Sequence, residues 1–138
     1  MKIRPALLVA EQEPDGALST RKLVLETAKF NVLTAHSVEE ARTALDVMAP
    51  GIAALIITAG LAPANDCVAL AKVFKERKTD APVIFLSPGG DQDCGRWSDH
   101  RLSSHEPEKL LDLIRSLFGD PRGHVGDKGV RGSGGGAR

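Results

Sequence analysis

Apolar residues in this chain fall into two alternating patterns: short unbroken runs, and longer stripes with helical spacing. The unbroken runs are Ala6-Leu7-Leu8-Val9-Ala10, Ala54-Leu55-Ile56-Ile57 and Val83-Ile84-Phe85-Leu86. Runs of this length without alternation suit strands of a parallel sheet that is covered on both faces. Val32-Leu33-Thr34-Ala35 reads as a further short strand. Between them lie the helical stripes. Pro14-Asp15-Gly16 predicts a turn with Asp15 as a cap, opening a helix through about Lys29 with Leu18, Leu25 and Ala28 inward. Ser37 and Glu40 have capping-box spacing, and Ala41, Ala44, Leu45 and Met48 follow on one face up to Pro50-Gly51. Asn65 or Asp66 is the predicted cap of a third helix, which carries Cys67, Leu70, Ala71 and Phe74 inward. The order βαβαβα then leads through Asp80-Ala81-Pro82 to the fourth strand, with right-handed crossovers.

Beyond Ser87 the pattern weakens. Residues 88–95 hold too many breakers for a regular helix, and His100-Arg101-Leu102 predicts a weak fifth strand. Pro107 then starts a last helix, with Leu110, Ile114 and Leu117 inward, Leu113 beside them and Gly119 as its stop. From Asp120 onward the chain turns glycine-rich and basic, with too little apolar surface to offset the entropy of ordering it. The expected organisation is one domain over residues 1–118 and a flexible tail or linker over 119–138.

Composition narrows the functional classes. At 138 residues and 42% hydrophobic content, the chain suits a single globular core. Eighteen basic and eighteen acidic side chains cancel, so no general attraction to nucleic acid or to an anionic membrane is expected. The apolar run after Met1 is too short for a signal peptide and no segment has the length of a membrane span, which predicts a cytoplasmic protein. Cys67 and Cys94 are isolated, without a Cys-x-x-Cys pair, and read as ordinary thiols.

A polar residue closes each strand-like run: Glu11-Gln12-Glu13 after the first, Thr58 after the third and Ser87 after the fourth. Parallel α/β sheets carry their functional groups at these carboxyl ends. In this arrangement the chain resembles the receiver domain of two-component response regulators, the CheY-like group of the flavodoxin-like folds, over about residues 2–118. The resemblance implies a three-layer α/β sandwich around a doubly wound parallel sheet of five strands. The short interval between Ser87 and Ser103 implies in turn a shortened or irregular fourth helix. It also aligns Glu11 and Gln12 with the family's magnesium-holding acids, Thr58 with its phosphoaccepting aspartate, and Ser87 with its phosphoryl-contacting Ser or Thr. Ser103 and Ser104 fall at its Lys-Pro pair.

Only Ser87 keeps the family's identity, and Glu11 keeps its charge. Phosphotransfer from histidine needs an ionised carboxylate and a divalent ion held by hard anionic oxygens. Thr58 is un-ionised without an evident base, Gln12 offers a neutral carbonyl, and Ser103 removes a cation. The implied function is signalling through protein contact, with a histidine kinase or an output domain as candidate partner and without phosphate on aspartate. No catalysis, cofactor or metal is expected. The alternatives are a ligand-sensing pseudo-receiver and an active receiver with a displaced phosphoacceptor.

Weaker signals fit bland readings. Glu11, Glu13 and Asp66 supply too little anionic oxygen for a divalent site and read as a solvated acidic loop. Cys94, His100 and His105 match no compact zinc spacing. Thr58 as a kinase substrate competes with a structural strand-end threonine. Trp97 is a candidate partner anchor, with His100 and Arg101 beside it, or else caps the core where a fourth helix is missing. The acidic loop after the first strand would repel a flavin phosphate, and no Gly-x-Ser-x-Gly elbow is present.

Overall fold

The computed structural model describes residues 6–12, 19–48, 51–77, 80–89 and 97–120. Five strands, β1 (Ala6–Ala10), β2 (Asn31–Ala35), β3 (Ile52–Thr58), β4 (Val83–Ser87) and β5 (His100–Ser103), form one sheet in the order β2-β1-β3-β4-β5. Every neighbouring pair is parallel. Four helices, α1 (Thr20–Thr27), α2 (Val38–Met48), α3 (Ala64–Arg77) and α4 (Pro107–Phe118), connect and cover it. This is the three-layer CheY-like, flavodoxin-type sandwich.

The unbroken apolar runs have a simple cause: β1 and β4 are buried along their whole length, and β3 along most of it. On one face Leu7, Val9, Ile56 and Leu86 pack against Leu25 of α1 and Leu110 and Ile114 of α4. On the other, Leu8, Leu55, Ile57 and Phe85 meet Leu45 of α2 and Leu70 and Phe74 of α3. Successive residues of a strand point to opposite layers, so a strand under two helical layers must be apolar at every position.

Helix starts show where local sequence signals compete. α1 begins at Thr20 with Ser19 as its cap, whose Oγ accepts from the Lys22 N–H at 3.2 Å. Ser19 therefore displaces the expected Asp15, and Asp15 and Leu18 lie outside the described residues. In α2 the Ser37 Oγ accepts from the Glu40 N–H at 3.0 Å, as the capping-box spacing predicts. The Glu40 carboxylate reaches one residue further back, accepting from the His36 N–H at 2.7 Å. α3 starts at Ala64, and the Pro63 carbonyl accepts from Asp66 and Cys67, so Asn65 and Asp66 sit in the first turn rather than at the cap.

Two predicted inward residues are exposed. Met48 and Leu117 are 42% and 39% accessible, each in the last turn of its helix. Both stripes lose the sheet beneath them before the helix ends. Among the described residues no α-helix lies between β4 and β5; residues 90–96, including Cys94, fall outside that set, as do residues 121–138 of the tail.

Trp97 is partly buried against the α2/α3 layer of the core. Next to it, Asp99 fastens the crossover. Its Oδ2 accepts from the Val83 N–H at 2.8 Å and pairs with Lys75 Nζ at 2.6 Å, while its own N–H donates to the Val83 carbonyl at 2.8 Å. Lys75 also donates to the Ala81 carbonyl at 2.9 Å. Burial works against the Asp99 charge, but the Lys75 ammonium and the Val83 N–H outweigh it and, with His100, hold the carboxyl below its usual range.

A depressed folded-state value means that Asp99 contributes stability above the ordinary carboxylate pKa of about 3.9 and loses it as pH falls through the lower folded value. Asp99→Asn is expected to cost about 1 kcal/mol at neutral pH, a modest figure because the side chain is partly solvated. Urea unfolding across the acid range should show the wild type and Asp99→Asn converging as pH drops. Parallel curves would refute this role for Asp99.

Candidate functional site

The carboxyl ends of β1, β3 and β4 meet in one place. The β1–β3 register pairs Ala10 with Ile57, which sets Glu11 level with Thr58, and the β3–β4 register pairs Thr58 with Leu86, one residue before Ser87. The structure thus brings Glu11, Thr58 and Ser87 together, as their strand-end positions predict. Gln12 follows exposed at the rim, with its Oε1 close to the open side of Gly60 in the β3–α3 loop. Gly60 has φ +96°, a left-handed conformation that a side chain would strain.

Glu11 is 1% exposed. Its N–H donates to the Ala35 carbonyl at 3.0 Å, which extends the sheet by one residue and turns the carboxylate under the rim. Its carbonyl accepts from His36 Nδ1 at 3.1 Å. A buried carboxylate requires a counter-charge, and Arg21, in the first turn of α1, supplies it with Nε 2.6 Å from Glu11 Oε1. The same guanidinium reaches the Ser104 carbonyl through Nη1 at 3.4 Å. One side chain therefore links β1, α1 and the β5–α4 turn.

Arg21 carries no sequence motif. Its signal is indirect: a strand-end glutamate enclosed by the fold needs a cation, and Arg21 and Lys22 open the helix that follows.

Ser103 forms the turn instead of facing the pocket as a charged sensor would. Its Oγ donates to the Pro88 carbonyl and accepts from the His105 N–H, both at 3.1 Å. The Ser104 N–H donates to the Ser87 carbonyl at 2.8 Å, which closes the turn onto β4. His100 and Arg101 lie on β5, paired in register with Ile84 and Phe85 and away from the strand-end cluster.

The described donor set does not fit a divalent ion. Glu11 offers one oxygen not already engaged by Arg21, Gln12 and Thr58 are neutral, and Glu13 lies outside the described residues. Among the described residues no three His, Cys, Asp or Glu side chains converge as a metal site. Two buried oxygens at these strand ends, Glu11 Oε2 and Thr58 Oγ1, lack a hydrogen-bond partner among the described residues. Among the described residues no base is bonded to the Thr58 hydroxyl, and a hydroxyl needs one to act as a nucleophile. Cys67 is buried in the first turns of α3, where burial and the nearby Asp66 charge push its thiol up despite a contact with the Ala62 carbonyl, so it is a poor nucleophile.

Comparison with solved structures finds receiver domains. The receiver domain of NtrC4 from Aquifex aeolicus is 18% identical, with 82% of this chain and 96% of that one covered at a TM-score of 0.63. For the non-phosphorylated HemR receiver domain from Leptospira biflexa the values are 23%, 88%, 100% and 0.63. A CheY-like receiver domain protein from Methanospirillum hungatei JF-1 gives 13%, 83%, 94% and 0.68. No protein-family model and no curated protein matches the sequence. The chain has the receiver fold over nearly the full length of those domains, at identities that speak to fold alone.

Three variants probe the pocket. Arg21→Ala leaves a buried carboxylate unpaired and is expected to cost about 3 kcal/mol, whereas Glu11→Met combined with Arg21→Met regains most of that loss. Denaturant titration checks both, and a double variant no more stable than Arg21→Ala would show that the pair's charge is not the issue. Thr58→Val removes a buried hydroxyl without a partner, so its thermal midpoint should match or exceed that of the wild type. A clear drop would mean that the hydroxyl is satisfied in solution.

Proposed function

We propose that the chain is a receiver-like signalling module of the phosphorelay type that takes no phosphate on aspartate and acts by protein contact. The observation that carries this is the substitution at the end of β3 together with the pairing at the end of β1. Thr58 presents a hydroxyl with no base bonded to it among the described residues, and Glu11 is engaged by Arg21. The nucleophile and the metal-holding charge are both replaced, while the sheet that would present them is intact. On this reading the chain is no enzyme, its partner is a histidine kinase or an output domain, and its setting is cytoplasmic. Among the described residues no helix is long and apolar enough to cross a membrane. The glycine-rich segment from residue 119 then serves as a linker.

Glu11 Oε2 and Thr58 Oγ1 favour one second reading, a pocket that accepts a small molecule bearing hydrogen-bond donors. A saturable thermal shift from a metabolite panel, abolished by Thr58→Val, would select it over pure protein contact.

The primary reading is tested by intact mass after incubation with acetyl phosphate and magnesium, alongside an aspartate-bearing receiver. The expected result is a labelled control and an unlabelled chain. A stoichiometric, base-labile adduct would overturn it and point to an acidic residue such as Glu11 or Asp66 as acceptor.

A further inference from the structure

Among the described residues β2 and β5 are the two edges of the sheet, and they differ in their protection. An edge strand leaves alternate backbone N–H and C=O groups unpaired, and proteins normally shield such edges with charge, proline, a bulge or shortness. β5 follows that rule: it is four residues long and carries His100 and Arg101. β2 has neither charge nor proline in Asn31-Val32-Leu33-Thr34-Ala35, and its middle residues are only partly buried. A shallow groove runs along each end of it. One is lined by Phe30, Val32, Leu33, Met48 and Glu26, the other by Thr34, Ala44, Val47, Glu39 and Glu40. Val47, 75% exposed, and Met48, 42% exposed, extend the apolar surface beyond the strand.

The charge around this edge is one-sided. Among the described residues the grooves are lined by Glu26, Glu39 and Glu40 and by no lysine or arginine. Of the nearby cations, Lys29 and Arg42 line neither groove, and Arg77 pairs with Asp46. A second copy pairing through the same edge would bring the same carboxylates against them, and like charges facing across an interface oppose association.

We infer that the β2 edge is a strand-addition site for an extended, basic segment of a partner protein, one that alternates apolar residues with lysine or arginine. Main-chain hydrogen bonds from Val32 to Thr34 would supply affinity, the two grooves would take the apolar side chains, and the carboxylates would select cationic neighbours. This rests on the reading of the chain as a protein-contact module and is independent of the state of the pocket.

The test is an NMR titration of the full chain with a short synthetic peptide alternating valine and lysine. Two controls accompany it: the peptide with glutamate for lysine, and a copy N-methylated along its backbone. The expected result is saturable shifts and slowed amide exchange confined to β2 and the facing side of α2. Binding should be lost with both controls and weakened several-fold by Glu39→Lys, which leaves the Ser37 cap in place. Equal binding of the N-methylated copy, shifts elsewhere, or a concentration-dependent dimer through β2 would each overturn the assignment. Unchanged β2 amides alongside an unlabelled mass spectrum would remove the edge site and leave the pocket reading standing.

Discussion

A carboxylate sealed beneath the end of a sheet must be neutralised, and in this protein that requirement organises the whole upper rim. Glu11 is drawn in because its N–H continues the sheet to Ala35, and Arg21 answers it from the start of the next helix. A pair of this kind gives little net stability, because desolvating both ions offsets most of their attraction. Its effect is positional: β1, the start of α1 and the β5–α4 turn are held by one guanidinium. A metal ion occupies such a place in proportion to its concentration outside. A guanidinium tethered to α1 is present and charged at every ordinary pH. The pocket's charge balance is therefore fixed by the chain itself.

Below the rim, the sheet is held from both sides by layers that share no side chains. Leu25, Leu110 and Ile114 close one face and Leu45, Leu70 and Phe74 the other. The second face also receives the residues that lead into β5. There, Trp97 supplies apolar cover and the Asp99–Lys75–Val83 cluster fixes the crossover to β4.

The layered fold was legible because burial on two faces forces a sequence signature: Leu7 through Ala10 and Val83 through Leu86 can be nothing but apolar. The strand-end positions of Glu11, Thr58 and Ser87 followed from those runs. What sequence could not supply was the competition between neighbouring caps, where Ser19 prevailed over Asp15, and the point at which a stripe outruns its sheet, as at Met48 and Leu117. Arg21 was hidden for a related reason. Its partner lies ten residues back in the chain, and charge pairing in three dimensions leaves no periodicity to read.

The chain has a single tryptophan and no tyrosine. Because Trp97 rests on the α2/α3 layer, its emission is an optical probe of one side of the molecule only. Fluorescence would follow loosening of the β4–β5 crossover. Fraying of α1 or α4 on the far side of the sheet would leave the spectrum unmoved, so the colour of the emitted light reports on one half of a two-sided core.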